Sequence, residues 1–272
     1  MKKLFPTKSM AAAFAAVLAI YIFSELPTAL PGEKQAEALS GNEPVAVEVE
    51  TDSDFEVYLF TPDDRDNRYQ DTQADVFQAI PEYSGNPYYE IGEADFNTER
   101  TPFPFVLLCE LDNLDRPGWV LACLGPETLA TEDRGSIGMF KPTGWKQNKY
   151  DSIKDEWNPA GFLYNRCHLL GFQLLGRESN TELNLITGTR YMNVDGMLPF
   201  ENMVADYIRA TGNHVAYMVT PYFEGDNLVA TGVRIEAKSY EDDGKGINFD
   251  VFCYNVQPGI EIDYATGNNR QN

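Results

Sequence analysis

The last third of the chain leaves little freedom of fold. Val215–Phe223, Leu228–Lys238 and Ile247–Tyr254 are runs rich in β-branched and aromatic residues. They are joined by Glu224-Gly225-Asp226-Asn227 and by Asp242-Asp243-Gly244-Lys245-Gly246. Short Gly/Asp/Asn connections between such runs make hairpins, so the three should pair as an antiparallel sheet. Tyr88–Ile91, Phe103–Leu108 and Trp119–Leu124 read as further strands, the last two split by the turn region Asp112–Gly118. One helix is expected from Pro199, because Phe200, Met203, Val204, Tyr207 and Ile208 fall at i, i+3, i+4, i+7 and i+8. Proline suits a first turn, and Gly212 stops the helix. The pattern is α+β: an antiparallel central sheet with packed helices. No internal repeat is found.

The N-terminus is of another kind. Lys2, Lys3 and Lys8 precede an uncharged apolar run from Met10 to Phe23. A basic head and a run this short suit a signal peptide better than a spanning helix, which needs about 20 residues. Ala36 and Ala38 supply small residues for cleavage, so 1–38 reads as a signal peptide or an uncleaved N-terminal membrane anchor. Either way the chain is exported, secreted or held at the extracellular face, and it meets the membrane only through this segment. Residues 39–76 are acidic and poor in periodicity, and read as a linker or extension. The globular domain is expected over 77–268, with order starting near Ile80.

Charge limits the partners. The chain carries a net charge of −21, which favours solubility and opposes tight non-specific DNA binding at physiological salt. A site whose positive charge is local, or supplied by a metal, is still allowed. The Gly-rich loop from Asp133 to Trp145, with Arg134 and Lys141, lacks the order of a phosphate-binding P-loop, which excludes ATP binding through that motif. Cys109, Cys123, Cys167 and Cys253 allow three disulfide connectivities and stand in no C-x-x-C pair, so a zinc cage is not expected.

Chemistry concentrates in Tyr164-Asn165-Arg166-Cys167-His168, with Asn184-Leu185-Ile186-Thr187 and Asn193 downstream. His168, one of two histidines, has an unperturbed pKa near 6.5 and is suited to deprotonating water. If the segment is a strand, Arg166 shares its face and offers a fork of donors to a phosphate. Cys167 then points to the other face, as a small packing residue rather than a nucleophile. Asn193 could give one oxygen to Mg²⁺, which keeps several waters when a protein offers few ligands. His214, opening a strand, reads as structural.

This constellation resembles the DNA/RNA non-specific endonuclease family, whose ββα-metal (His-Me finger) site carries the signature D-R-G-H. Here the signature reads Asn165-Arg166-Cys167-His168. The family's Asn-Ile-x-Pro-like segment precedes its metal-binding Asn by nine residues, as Asn184 precedes Asn193. A Glu eight residues beyond that Asn matches Glu201. The resemblance runs from about Tyr83 to the Tyr264 region and is nearest the exported Gram-positive branch that includes DNA-entry nucleases. It implies that His168 is the general base and that Asn193 is the single direct Mg²⁺ ligand, with Mn²⁺ as a substitute. It gives Glu201 a water-mediated place around the metal, Asn184 the task of holding the His loop, and Arg166 a phosphate. A second upstream Arg would stabilise the transition state, and Arg134 is the candidate by position.

Three features depart from the pattern. Asn165 and Cys167 stand for Asp and Gly, Gly196 and Pro199 interrupt the case for one helix through Asn193 and Glu201, and the chain is acidic. The implied function is an exported, metal-dependent endonuclease hydrolysing phosphodiester bonds of DNA, with RNA as a further substrate, without sequence specificity. The alternative is a catalytically inactive surface module that binds nucleic acid or a protein partner.

Overall fold

The computed structural model describes residues 45–49, 55–61, 74–99 and 101–272. The leader or anchor expected at 1–38, and the parts of the acidic extension between those segments, lie outside the described residues. The strands are β1 (Val45–Val49), β2 (Glu56–Thr61), β3 (Tyr88–Gly92), β4 (Phe105–Cys109), β5 (Val120–Leu124), β6 (Tyr164–His168), β7 (Leu185–Thr189), β8 (Val215–Tyr222), β9 (Gly232–Ser239) and β10 (Asn248–Tyr254). Eight of them form one sheet in the order β1-β2-β4-β5-β8-β9-β10-β3. The hairpin strands β8, β9 and β10 pair antiparallel, with Val215 opposite Ser239 and Asn248 opposite Lys238.

Three expectations are corrected. The sheet is mixed rather than wholly antiparallel, because β2 runs parallel to β4, with Glu56 beside Phe105. The stretch read as an acidic extension supplies β1 and β2. Its short apolar runs, Val45-Ala46-Val47 and Val57-Tyr58-Leu59-Phe60, are hidden in the sequence by the surrounding acids. Order also passes residue 268, since β11 (Ile260–Ile262) pairs with β12 (Asn269–Gln271). All four cysteines are buried free thiols.

Alternation along the strands sends side chains to two faces. Val215, Tyr217 and Val219, with Val233, Ile235 and Ala237, enter the larger core, while Ala216 and Met218 join Tyr58, Leu107, Leu121 and Trp119 on the far side. The larger core is covered by helix α3 (Leu198–Thr211) and by the β6–β7 hairpin, which forms its own two-stranded sheet. Two shorter helices are α1 (Ala74–Ala79) and α2 (Phe172–Leu175). Pro199 lies in the first turn of α3, and Gly212 ends it with φ 71° and its N–H donated to the Ile208 carbonyl. The buried stripe of α3 is Phe200, Glu201, Val204, Ala205 and Ile208, whereas Met203 is 49% exposed. The helix is therefore turned from the orientation its apolar residues suggest, and it buries a carboxylate.

Candidate active site

β6 and β7 form an antiparallel hairpin in which His168 faces Leu185 and Arg166 faces Thr187. Helical backbone begins at Arg190, directly after β7, and continues to Thr211. Met192–Met197 within it is a π-helical segment. On an ideal α-helix of about 3.6 residues per turn, positions eight apart lie about 80° from one another. A wider i→i+5 turn rotates less per residue and narrows that gap. The contacts agree. Asn193 and Met197 both touch Cys167 Sγ, and Glu201 faces the loop just after β6, at Gly171. Gly196 lies within the π segment and Pro199 in the first turn of α3, so neither divides the helix, and Asn193 and Glu201 stay on the side of the hairpin.

His168 is 5% exposed at the end of β6. Its Nδ1 lies 3.2 Å from Arg134 Nη2, and its Nε2 lies 3.0 Å from Asn180 Oδ1. A guanidinium has only donors, and a carboxamide oxygen only accepts. Nδ1 must therefore accept and Nε2–H must donate, which fixes one neutral tautomer. Burial lowers the His168 pKa to about 4, and the Arg134 charge adds to that, against the raising effect of Asn180. Asn180 is absent from the residues singled out by sequence. Its signal, the polar run Ser179-Asn180-Thr181 after a leucine-rich stretch, is indistinguishable there from an ordinary loop.

The loop between His168 and β7 is braced from inside. Asn184, fully buried, donates Nδ2 to the carbonyls of Leu170 and Ser179, each at 2.9 Å. Its Oδ1 accepts from Leu170 N–H at 2.9 Å. These bonds fix both the segment leaving His168 and the backbone beside Asn180. From outside, the Glu132 carboxylate accepts the Arg177 N–H at 2.8 Å, tying the base of the Arg134 loop to the same segment.

Arg166 is engaged differently from the role implied by resemblance. Its Nε donates to the Phe140 carbonyl, its Nη2 donates to the Gly138 carbonyl at 3.0 Å, and the guanidinium lies 4.4 Å from the Trp145 ring centroid. A planar, weakly hydrated cation stacks well on an indole, and here it clamps the loop that carries Arg134. Residues 134–150 contain Arg134, Lys141, Lys146 and Lys149 and no acid. In a chain of net −21 this loop brings local positive charge to His168.

On the helix side, Cys167 Sγ donates to Asn193 Oδ1 at 3.0 Å. Glu201 is 9% exposed, and among the described residues no hydrogen bond or ion pair reaches its carboxylate. Burial raises its pKa to about 7, with Arg134 pulling the other way. A Cβ at Gly171 would fall 2.6 Å from Glu201 Oε2, so only glycine leaves the carboxylate its space. Among the described residues no group of three or more His, Cys, Asp or Glu could hold a metal ion. The second histidine sits elsewhere, between Glu127 and Glu241.

Hairpin, helix and His168 all fall within residues 107–241, which match the model of the DNA/RNA non-specific endonuclease family. This segment is a DNA/RNA non-specific endonuclease domain. Its reaction class is nucleic-acid phosphodiester hydrolysis. The fold is shared with NucA from Streptococcus agalactiae, solved with magnesium bound, at TM-score 0.62 and 24% identity over 75% of this chain and 95% of that one. It is shared too with Sda1 nuclease, solved with a zinc ion bound, at TM-score 0.59 and 24% identity over 69% of this chain and 97% of that one.

Proposed function

We propose that the endonuclease domain is exported and cuts DNA, and RNA in the same site, without reading sequence, with His168 as general base and a divalent ion beside Asn193 and Glu201. The observation that carries the reading is His168 held between Arg134 and Asn180, neutral, with its Nδ1 lone pair turned to the Arg134 guanidinium. The basic head and apolar run at the N-terminus support export.

The residues fit a hard, hydrated cation. Asn193 and Glu201 offer oxygen, and the Glu201 carboxylate is buried with no protein partner among the described residues, a state a nearby cation relieves. Two oxygen donors leave room for water and phosphate oxygens, which suits Mg²⁺ with Mn²⁺ as substitute rather than a thiolate-type site. When bound, such an ion supplies charge neutralisation at the phosphate and at the leaving oxygen.

The chain's own residues account for the proton. A phosphate approaching Arg134 competes with Nδ1 for the guanidinium, because a charge-assisted bond is the stronger one. Releasing Arg134 from Nδ1 frees the lone pair, and the phosphate's negative charge offsets the cation that depresses His168 basicity. The proton of the attacking water then passes to Nδ1, the water oxygen bonds to phosphorus, and the bond from phosphorus to the leaving oxygen breaks. Nε2–H stays on Asn180, so that residue acts by orienting the ring. Arg166 acts through the loop it clamps. Local charge on 134–150 reaches phosphates, which every sequence carries, and this supports sequence-indifferent cutting.

Digestion of plasmid and RNA with Mg²⁺, with and without EDTA, tests the proposal. Both substrates should be cut, EDTA should stop the reaction, and His168→Ala should stop it with the fold intact. A folded wild-type protein that leaves both substrates whole in Mg²⁺ and Mn²⁺ would favour an inactive binding module.

A further inference from the structure

We propose that Cys167 is a positioning residue for Asn193, its thiol holding the carboxamide oxygen in the orientation that receives the divalent ion. The inference rests on the reading of Asn193 as metal ligand given above. Cys167 stands where the D-R-G-H signature has glycine, a position with no side chain to touch the helix. In this chain Sγ lies 3.0 Å from Asn193 Oδ1 and 3.4 Å from Met197 Sδ. The thiol thus meets the helix, and His168, the next residue and the last of β6, meets Arg134 and Asn180.

Space for the thiol comes from across the hairpin. A Cβ at Gly188 would fall 2.6 Å from Cys167 Cβ and 2.8 Å from Met192 Cε. Cysteine at 167 and glycine at 188 therefore complement one another. Cys167 has no exposed surface, so the contact is free of competition from water. An S–H donor can pair only with the oxygen end of a carboxamide. Donating to Oδ1, it holds the carboxamide oxygen on the Cys167 side. That oxygen has two lone pairs, and the thiol uses one. The second remains for a cation, and the ligand's rotamer is fixed before the ion arrives.

Mn²⁺ binding to the full chain, read by the electron-spin resonance of free Mn²⁺, tests this apart from activity. Cys167→Ala and Cys167→Gly should bind Mn²⁺ about fivefold more weakly, the effect of one weak hydrogen bond. Cys167→Ser, which keeps a donor, should recover wild-type affinity. In cleavage assays the Mn²⁺ concentration for half-maximal rate should rise by the same factor, with the rate at saturation unchanged. Cys167→Gly guards against a misfolded Cys167→Ala, since glycine is the signature's own residue. Unchanged Mn²⁺ affinity in a folded Cys167→Gly, with Asn193→Ala weakened, would overturn the role of Cys167 alone. Unchanged affinity in Asn193→Ala would overturn the metal reading of Asn193, and the role of Cys167 with it.

Discussion

Two carboxylates, buried Glu201 on α3 and the partly buried Glu236 on β9, both have a pKa raised to about 7, and loss of solvent is the main cause for both. Their surroundings differ. Glu236 lies on the far face of the sheet and pairs with Arg234 at 3.0 Å, which also grips Asp250 at 2.6 Å. Glu201 faces the hairpin, and no described residue offers it a hydrogen bond or an ion pair. A perturbed carboxylate is thus not by itself a site; structural ion networks perturb carboxylates as well. What separates the two is whether the protein supplies the counter-charge. At Glu236 it does. At Glu201, among the described residues, only the Arg134 charge acts, without a hydrogen bond or ion pair, and the proposed divalent ion would complete the pairing.

The largest effect that would sharpen this contrast belongs to His168. Removing a general base costs about 10²–10⁴ in rate. His168→Ala should lower plasmid cleavage by about a thousandfold in a protein that still unfolds cooperatively. Glu236→Gln, on the far face, should keep wild-type cleavage. Equal loss of activity in both variants would mean that the far face bearing Glu236 is not separate from the His168 site.

Next comes stability against pH. Glu201 has a folded pKa raised above its unfolded value, so its contribution is fully present below about 4.5 and is lost as pH rises through 7. Two to three pKa units correspond to about 3 kcal/mol. His168 works in the opposite direction. Its folded pKa is lowered to about 4, so its contribution is present above 6.5 and is lost as pH falls through 4. Metal-free protein should therefore lose stability from pH 5 to pH 8 on account of Glu201 and Glu236, and both Glu→Gln variants should flatten that slope. Only Glu201→Gln should abolish the rise in melting temperature that Mg²⁺ gives at pH 8. A Mg²⁺ effect that survives Glu201→Gln would remove Glu201 from the metal.

A smaller effect concerns Arg134. With two histidines in the chain, imidazole proton resonances can be followed individually. His168 should titrate near 4, and Arg134→Met should move it part of the way back toward 6.5, since burial is the larger cause and stays. No movement would mean that Arg134 and His168 are not in contact in solution.

Much of this was legible in the sequence, and the gaps have physical causes. The hairpin strands β8 to β10 were marked by their turns, and α3 by its apolar spacing. Strands β1 and β2 were not, because acidic neighbours outweighed short runs of apolar residues that the sheet, not local propensity, holds in place. At the site, His168, Asn184, Asn193 and Glu201 stood out by type and interval, and the fold groups them around one hairpin and helix. Asn180 did not stand out, nor did the carbonyls of Gly138 and Phe140 that engage Arg166. Such partners are backbone groups, or common polar residues in loops, and acquire meaning only once a loop returns to a strand.

The smallest effect returns to the orientation of α3. Apolar spacing alone would bury Met203 and leave Glu201 in water, yet Met203 is 49% exposed and Glu201 is inside. Ala205, one turn beyond Glu201, is fully buried on the same side. A helix can present that stripe only if burying a carboxylate is tolerated, which returns to the missing counter-charge. Met203→Lys should then change stability by less than about 0.5 kcal/mol, as at any open surface position. Ala205→Lys should destabilise the fold by several times that, because it forces an unpaired ammonium into the core. Chemical denaturation of the two variants compares the two sides of the helix directly. If Met203→Lys proved the costlier change, α3 would be rotated in solution, Glu201 would lie in solvent, and its difference from Glu236 would be one of exposure rather than of partner.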